Sequence, residues 1–416
     1  MQIFDYDIWQ EIFNTIRKHK LRTFLTALGV FWGIFMLVFL MGSGKGLENG
    51  VTGMFGNRAV NSLYVWTQRT TKPYNGLPPG RRARLTNDDI RAINSELGTK
   101  IQYMAPRIWI PSGEIVRNEN KGSFDVRGES PDLLHIEPLE VAKGRFINVP
   151  DMEQKRKVII IGQRVKDVLF QGEDEVIGEY LKISGADYQV VGIFKSKRGG
   201  GDGGDDESTI FMPLTTAQQV LNRPNEIGWF VCAMYDQVPV SSVEDDLKSI
   251  LRERHQIAPD DEQGVRSFNL EEEFNQFQGL FAGIRWLVWF VGIGSLFAGV
   301  IGVGNIMLIV VKERTKEIGL RKALGATPRA IIQMVLLESV FITTVAGYLG
   351  LIFSTVIIFL MNLAVGDGGE FFAKPEVDFT VGIGAILVLV VSGALTGLVP
   401  ALQAASIQPV VALRDE

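Results

Sequence analysis

The sequence predicts a membrane protein with four transmembrane helices and an α+β domain outside the cytoplasm. Three observations support this fold class: four long apolar stretches, basic residues concentrated beside two of them, and one long stretch of soluble composition between the first two. Of the 416 residues, 46% are hydrophobic and 21% are charged. A chain of this composition is neither disordered nor wholly buried in lipid.

Residues 1–22 are predicted to form a cytoplasmic amphipathic helix. Its apolar side chains fall on one helical face, and polar or basic side chains occupy the rest of the surface. The apolar face consists of Ile8, Trp9, Ile12, Phe13 and Ile16. This face suits the inner membrane surface, although packing against a protein partner would require the same pattern.

The four transmembrane segments follow from length, because a bilayer core about 30 Å thick takes about 20 helical residues to cross. The continuous apolar stretches are 23–41, 286–311, 331–363 and 379–402. With their flanking residues they give predicted spans over 23–43, 282–311, 331–363 and 379–402. The first stretch begins too late and is too long for a cleaved signal peptide, so we predict a retained signal anchor.

The orientation follows from basic residues in short loops, which favour the cytoplasmic side. Such residues precede the first span and fill the loop 312–330: Arg17, Lys18, Lys20, Arg22, Lys312, Arg314, Lys316, Arg321, Lys322 and Arg329. We therefore predict that both termini are cytoplasmic, including the tail 403–416. The domain 44–281 and the acidic loop 364–378 are then outside.

The long external segment, 44–281, has the composition of a mixed α/β domain. Apolar or alternating runs bounded by turn residues predict strands, which cover 62–66, 157–161, 188–194, 209–212 and 229–234. Three- and four-residue spacing predicts helices over 86–97, 215–221 and 243–255, the first with Thr86 as its N-cap. Their order predicts one α/β lobe interrupted by a β-rich insertion at about 111–225.

The loop 312–330, which contains KERTKEIGLRKALGATPR, is the most informative segment. It is predicted to continue the preceding helix, to end it at Gly325 in a left-handed C-cap, and to restart with Thr327 as N-cap and Pro328 as the first helical residue. The apolar side chains of this hairpin need a partner or the membrane to cover them; they are Ile318, Leu320, Ala323 and Leu324. A solvated charged loop that only sets topology is the alternative.

Two polar side chains, Asn305 and Glu338, are predicted to lie inside the apolar spans. For Glu338 a structural hydrogen bond between helices is favoured over a proton or substrate relay, because one acidic residue makes no pathway. Several glycines permit close helix approach, either in a dimer or within one subunit. They are Gly292, Gly294, Gly299, Gly302 and Gly304.

The sequence argues against several other kinds of site. A net charge of −5 gives no general basic surface for nucleic acid. The only cysteine, Cys232, is predicted to be a buried structural thiol, and the histidines lie too far apart to form a metal-binding motif. We predict neither catalytic residues nor a metal site, and we interpret the acidic glycine-rich run 199–207 as a flexible loop.

A short glycine-rich run, GSGKG at 42–46, lacks the spacing and the hydroxyl group of a P-loop. No nucleotide site is therefore predicted in this chain. We expect these glycines to break the helix between the first span and the external domain.

Three sequence blocks resemble the MacB/FtsX family of ABC-transporter permeases. They are KLRTFLTALGVFWGIF at 20–35, GNIMLIVVKERTKEIGLRKALGATPRAIIQMVLLES at 304–339, and GLVPALQAASIQPVVALRDE at 397–416. The resemblance covers both membrane portions and, in topology only, the external domain. It implies a porter-like α/β lobe with a β-rich insertion, in agreement with the element order above.

The resemblance also implies that the hairpin docks on an ATPase. The residues to which it assigns coupling are Glu313, Arg314, Glu317, Gly319, Arg321, Lys322 and Gly325. Some relatives carry an ATPase domain at their own N-terminus, whereas this chain begins almost at the amphipathic helix. We therefore expect a separate ATPase chain that binds ATP and magnesium, and a non-catalytic membrane chain that holds no cofactor.

The resemblance further implies a location in the cell inner membrane and a permease homodimer or heterodimer. The expected function is export of a drug, peptide or lipoprotein, with a periplasmic adaptor and an outer-membrane channel as further partners. As in FtsX-like members, the alternative is a transmembrane regulator of an extracytoplasmic cell-wall hydrolase. A membrane receptor without an ATPase is a third hypothesis.

Overall fold

The computed structural model describes residues 20–55, 58–111, 113–195, 206–365, 372–376 and 379–408, together with Gln10 and Arg17. Most of the predicted amphipathic helix, most of the run 199–207, much of the loop 364–378 and the residues 409–416 lie outside the described residues. The chain divides into two compact units. We call Met1–Val51 with Leu280–Glu416 the helical unit, and Thr52–Gly279 the α/β unit.

The helices and strands are numbered in chain order within the described residues. The helices are α1 Lys20–Phe55, α2 Asn87–Leu97, α3 Leu133–Ile136, α4 Val149–Glu153, α5 Gln163–Phe170, α6 Leu214–Val220, α7 Ser241–Arg254, α8 Leu270–Glu313, α9 Thr315–Ala323, α10 Pro328–Val365 and α11 Phe379–Ser406. The strands are β1 Ser62–Thr67, β2 Leu85–Thr86, β3 Ile101–Ile110, β4 Ile115–Arg117, β5 Asn120–Gly122, β6 Asp125–Glu129, β7 Glu140–Gly144, β8 Val158–Gly162, β9 Tyr180–Ile183, β10 Ala186–Lys195, β11 Thr209–Pro213, β12 Glu226–Ile227, β13 Trp229–Met234 and β14 Val265–Asn269.

Three helices in the described residues are long and apolar enough to cross a membrane, at Thr23–Gly53, Leu270–Glu313 and Pro328–Val365. The fourth predicted span coincides with α11, in which Val390–Ser406 forms a shorter apolar helix. The long hydrophobic stretches of the sequence thus lie within these helices.

The predicted helix break at 42–46 is wrong, because α1 continues without interruption from Lys20 to Phe55. A glycine inside a helix costs about 1 kcal/mol relative to alanine, so its presence needs a compensating contact. At Gly46 that contact is a close approach: a Cβ there would lie 2.7 Å from the ring of Phe372. The Ala373 amide also donates to the Gly46 carbonyl at 3.0 Å.

Close packing inside the helical unit depends on small residues. A Cβ built on Gly299 of α8 would lie 3.0 Å from the carbonyl oxygen of Gly29 on α1. The Ser339 hydroxyl of α10 donates to the Gly393 carbonyl of α11 at 2.9 Å, and Ser339 is fully buried. In a medium without water, such contacts supply the attraction between helices that the hydrophobic effect supplies elsewhere.

The α/β unit contains one twelve-stranded sheet in the order β14-β1-β13-β3-β6-β11-β8-β10-β9-β4-β5, with β7 also paired to β10. Strand β3 joins two halves of this sheet, because it pairs with β13 over 101–107 and with β6 over 108–110. On one side lies the lobe, formed by β14, β1, β13, β3, α2 and α7. On the other lies the insertion, formed by β4 to β11 with α3 to α6.

Local sequence signals located most of the predicted elements. The strand at Trp229–Met234 has the predicted bounds, and the other four predicted strands are confirmed with ends shifted by one or two residues. The predicted N-cap of α2 is also confirmed: Thr86 caps the helix, and its backbone amide and hydroxyl both donate to Asp89. Such caps are set by nearby residues, which explains why the sequence reveals them.

Strand β3 was not predicted from the sequence, although it joins the two halves of the sheet. Its sequence contains Pro106, which cannot donate to a sheet ladder and normally argues against a central strand. The structure resolves this conflict, because β13 lies beside Pro106 while pairing with β6 begins only at Ile108. Pro106 therefore has a neighbouring strand on one side only.

Both faces of the sheet are buried at β13. Along β13, Phe230, Cys232 and Met234 enter one hydrophobic cluster, whereas Val231 and Ala233 enter the cluster on the opposite face. This alternation follows from the two-residue period of a strand. Cys232 is fully buried, and burial raises the pKa of its thiol to about 12, so the prediction of a structural thiol is confirmed.

A cluster of charged side chains is buried where β3 passes from the lobe to the insertion. The guanidinium of Arg107 on β3 contacts Glu129 Oε1 at 2.8 Å and Glu137 Oε1 at 3.2 Å. The hydroxyl of Tyr64 on β1 donates to Glu137 Oε1 at 2.6 Å. Only 4% of the Arg107 side chain and none of the Glu129 side chain is exposed.

The two carboxylates of this cluster have opposite pKa directions. Burial raises the pKa of Glu129 to about 7, against the attraction of Arg107. Burial also raises the pKa of Glu137. The nearby guanidinium groups of Arg107 and Arg58, together with the Tyr64 hydroxyl, outweigh this effect, so the pKa of Glu137 is lowered. Ionised Glu137 is thus well compensated, whereas ionised Glu129 is not.

Between pH 6 and pH 8, the free energy of unfolding is expected to fall by about 1 kcal/mol more in the wild-type protein than in Glu129→Gln. The folded-state pKa of about 7 lies above the ordinary value of 4.5, so folding binds a proton at Glu129. This stabilisation is complete below about pH 4.5 and is lost as the pH rises through about 7. Denaturant unfolding of the purified wild-type and variant proteins at pH 6 and pH 8 measures this difference in the free energy of unfolding.

The control for this measurement is Glu226→Gln, which removes a half-buried carboxylate that pairs with Arg84 and Arg223, two exposed guanidinium groups. This variant should keep the pH dependence of the wild type. An unchanged pH dependence in Glu129→Gln would contradict the assignment.

Candidate functional site

The hairpin between α8 and α10 has the geometry that the sequence predicted. Gly325 adopts a φ of 101°, its amide donates to the Lys322 carbonyl at 3.1 Å, and the Ala326 amide donates to the Arg321 carbonyl at 3.0 Å. These bonds define a Schellman turn, in which glycine is favoured because it accepts a positive φ. The next helix, α10, begins at Pro328, and the Ala330 amide donates to the hydroxyl of the predicted N-cap, Thr327, at 3.4 Å.

The helix that leaves the apolar segment is not continuous, however. It ends at Glu313, and α9 begins at Thr315 after one residue, Arg314, with φ −92° and ψ 13°. Backbone hydrogen bonds still cross this point, since the Ile318 amide donates to the Arg314 carbonyl at 2.9 Å. The hairpin is therefore bent at Arg314 without losing its helical hydrogen bonding.

Arg314 fixes this bend through two carboxylates. Its Nε lies 3.1 Å from Glu317 Oε2, and its Nη1 lies 3.3 Å from Glu338 Oε2 on α10. Glu317 is also 3.0 Å from Arg321 Nη2. The network therefore ties the first turn of α9 to both its own last turn and the adjacent helix.

Glu338 is the buried member of this network, with 5% of its side chain exposed. Its contact with Arg314 is a polar bond between two helices, as in the structural interpretation favoured from the sequence. A carboxylate at this depth needs a cation beside it, because its charge is costly to remove from water. The sequence did not identify Arg314 as that cation, since 24 residues separate the two.

Lys322 makes its contacts inside the chain. Its Nζ donates to the carbonyl oxygens of Ala405 and Ile407, both at 2.7 Å. A cation at the end of a helix is favourable because the last carbonyl groups lack partners in the helix. Lys322 therefore holds the C-terminal end of α11 against the hairpin.

The hairpin leaves two leucines uncovered. Ile318 and Gly319 are buried, whereas Leu320 is 51% exposed and Leu324 is 81% exposed. The amphipathic spacing of α9 already indicated that its apolar residues need cover. The structure adds that Ile318 is covered within the chain, while the two leucines form an outward apolar face.

The seven residues that the family resemblance assigned to coupling are distributed over both sides of the hairpin. Glu313, Glu317 and Gly325 are exposed, Arg314, Arg321 and Lys322 are half-buried, and Gly319 is buried. The half-buried cations hold the hairpin in place through the contacts above. The exposed positions and the two leucines are those that a partner can reach.

Asn305 lies on the exposed side of α8, and its amide has no hydrogen-bond partner among the described residues. The glycines around it divide into two groups. Gly292 and Gly299 approach α1, and Gly304 approaches α11, whereas nothing in the described residues lies within 4 Å of a Cβ at Gly294 or Gly302. Packing within one subunit therefore accounts for three of the five glycines.

Two family models match the chain. The model for a MacB-like periplasmic core domain matches residues 23–250, and the model for the FtsX-like permease C-terminal region matches residues 289–409. The first match alone covers more than half of the chain.

Three similar proteins show how far the likeness extends. The pyoverdine export ATP-binding/permease protein PvdT of Pseudomonas putida is 30% identical over 96% of this chain and 58% of its own length. The macrolide export ATP-binding/permease protein MacB of Bdellovibrio bacteriovorus is 27% identical over 97% of this chain and 61% of its own length. The uncharacterized ABC transporter permease YvrN of Bacillus subtilis is 29% identical over 97% of this chain and 98% of its own length. The chain thus spans less than two thirds of the first two proteins.

Replacing Arg314 by methionine is expected to lower the free energy of unfolding by about 3 kcal/mol, because it leaves the Glu338 carboxylate buried without its cation. Adding Glu338→Leu should recover most of the loss, since no charge then remains buried. Thermal unfolding in detergent measures both effects. Arg329→Met, which removes an exposed guanidinium from the first turn of α10, is the control, and an equal loss there would contradict the role of Arg314.

Proposed function

Because the chain belongs to the family of permeases with a MacB-like periplasmic core domain and an FtsX-like C-terminal region, we propose that it is the permease subunit of an ABC transporter. It spans the cell inner membrane four times, with α11 as the fourth span. The α/β unit lies in the periplasm, and both termini lie in the cytoplasm together with the hairpin. The basic residues around the hairpin support this orientation.

The hairpin is the docking site for a separate ATPase chain, which binds ATP and magnesium. The observation that carries this proposal is the outward apolar face of Leu320 and Leu324 on a hairpin held by the Arg314 network. Exposed leucines outside a membrane require a partner protein that covers them. A rigid hairpin can transmit a displacement of that partner to the helices that it joins. Two relatives are named as ATP-binding/permease proteins, which supports an ATPase as the partner of the permease.

In this mechanism, ATP-driven movement of the ATPase pushes on the hairpin, tilts α8, and changes the arrangement of the periplasmic domains in a permease dimer. The work done on the substrate is export of a drug, peptide or lipoprotein through a periplasmic adaptor and an outer-membrane channel. The names of two relatives support export, since one refers to pyoverdine and the other to macrolides.

The first test is mass spectrometry of the proteins that co-purify with the tagged chain from native membranes. An ATPase with an adaptor or channel would support export. An ATPase with a cell-wall hydrolase would favour the FtsX-like regulatory function, and the absence of any ATPase would overturn the proposal.

Leu324→Glu is expected to reduce the recovery of the ATPase at least about tenfold, because it places a charge in an apolar contact. The protein itself should remain folded, since Leu324 is 81% exposed and its side chain contributes little to the core. The ratio of the two chains after affinity purification measures this loss.

The matched control is Val149→Glu, which places the same charge on an exposed apolar position of the α/β unit. It should leave recovery of the ATPase unchanged. Equal recovery with Leu324→Glu and with the wild type would mean that the ATPase docks elsewhere.

The dimer is proposed to form along the exposed side of α8. Among the described residues, the Asn305 amide has no hydrogen-bond partner there and a Cβ at Gly294 would meet no neighbour within 4 Å. An amide is both donor and acceptor, so two copies of Asn305 related by a twofold axis satisfy each other. Hydrogen bonds of this kind contribute to helix association in membranes.

Cysteine cross-linking in native membranes tests this surface. Phe297→Cys and Asn305→Cys, two turns apart on α8, should each give a disulfide-linked dimer, while Phe359→Cys on the exposed side of α10 should remain monomeric. The native Cys232 does not interfere, because it is fully buried. Equal cross-linking at all three positions, or none at the first two, would refute this interface.

A further inference from the structure

The segment between β6 and β7, residues 130–139, packs on the lobe although both strands that it joins belong to the insertion. We call this segment the strap. Its short helix α3 contacts β3 and β13 and buries Leu133 and Ile136 completely. The ring of His135 stacks on Tyr103 with 4.3 Å between centroids. The strap is therefore part of the packed core on one face of the sheet.

The strap also contacts the chain that follows α1. The Arg58 amide donates to the carbonyl of Phe55, the last residue of α1, at 3.4 Å. One residue later, the Ala59 amide donates to the Ile136 carbonyl of the strap at 2.8 Å, and Arg58 Nε lies 4.0 Å from Glu137 Oε1. The polypeptide is thus bonded to the strap within four residues of the end of α1.

Glu137 secures this contact from the other side. Its Oε1 accepts from the Tyr64 hydroxyl at 2.6 Å and from Arg107 Nη1 at 3.2 Å, and both partners belong to the lobe. The Glu137 side chain is 14% exposed and that of Arg107 is 4% exposed. Removing one member of such a buried group leaves an uncompensated charge, so the group resists separation.

The same guanidinium also holds the insertion. Arg107 Nε donates to Glu129 Oε1 at 2.9 Å, and Glu129 is the last residue of β6, immediately before the strap. The strap is therefore anchored at its start by Glu129 and near its end by Glu137. The strap can extend little between these two anchors, because its ten residues include the packed helix α3.

We propose that the strap is a mechanical connection that passes a displacement of the end of α1 to β6 and β7 of the insertion. The connection consists of the Ala59–Ile136 hydrogen bond and the contacts of Glu137 with Arg58, Tyr64 and Arg107. It gives α1 a route to the insertion that is separate from the strand pairing of the sheet. This inference concerns contacts within the α/β unit and does not depend on the ATPase or the substrate.

Hydrogen–deuterium exchange of the full-length protein in lipid nanodiscs tests the connection. Arg58→Met removes the guanidinium that lies 4.0 Å from Glu137 Oε1, and Tyr64→Phe removes the hydroxyl that donates to the same atom. In each variant, exchange should become about tenfold faster both in peptides that cover 58–61 and in peptides that cover 130–144. The second set covers the strap and β7, so faster exchange there shows that their stability depends on the contacts with Arg58 and Tyr64.

The matched control is Tyr188→Phe, because Tyr188 is buried in the cluster on the other face of the sheet. Its exchange in 58–61 and 130–144 should equal that of the wild type. The proposal is overturned if both test variants change only 58–61, or if Tyr188→Phe accelerates 130–144 equally. These outcomes are independent of whether an ATPase binds the hairpin.

Discussion

A carboxylate that leaves water needs a cation and hydrogen bonds around it, and each unit of this protein is organised around such a group. In the helical unit Glu338 is paired with Arg314. In the α/β unit Glu137 and Glu129 share Arg107. In both units the cation also contacts a second carboxylate, so one guanidinium connects segments that are distant in sequence. Arginine suits this role because its planar group offers several donors in fixed directions.

The Arg314 network gives the hairpin a defined shape without covering its outer face. Arg314 and Lys322 make their contacts inside the chain, while Leu320 and Leu324 remain exposed. This division separates the residues that hold the hairpin from those that a partner can touch. The hairpin can therefore present an apolar surface, because ion pairs within the chain fix its conformation.

Packing of the membrane helices follows a second constraint, the need for close backbone contact where water is absent. Glycine at positions such as Gly29 and Gly299 allows α1 and α8 to approach each other. These contacts use one side of α8 and leave the side with Asn305 and Gly294 exposed. The side of α8 that is not used for packing within the subunit is thus the side available to a second subunit.

Features that depend on neighbouring residues could be predicted from the sequence. The apolar stretches marked the membrane helices, the alternation of Trp229–Met234 marked a strand, and Gly325 with Thr327 and Pro328 marked the hairpin turn. Each of these signals reflects local sterics or a short period, which act within a few residues.

Features that depend on distant residues could be established only from the three-dimensional structure. Pro106 is tolerated in β3 because one side of the strand is open there, and α1 passes through Gly46 because Phe372 packs closely against it. The partner of Glu338, the inward contacts of Lys322 and the exposure of Leu324 were likewise unknown from the sequence. In these cases burial and pairing depend on residues that are far apart in the chain. Local sequence patterns do not show which distant segments contact each other.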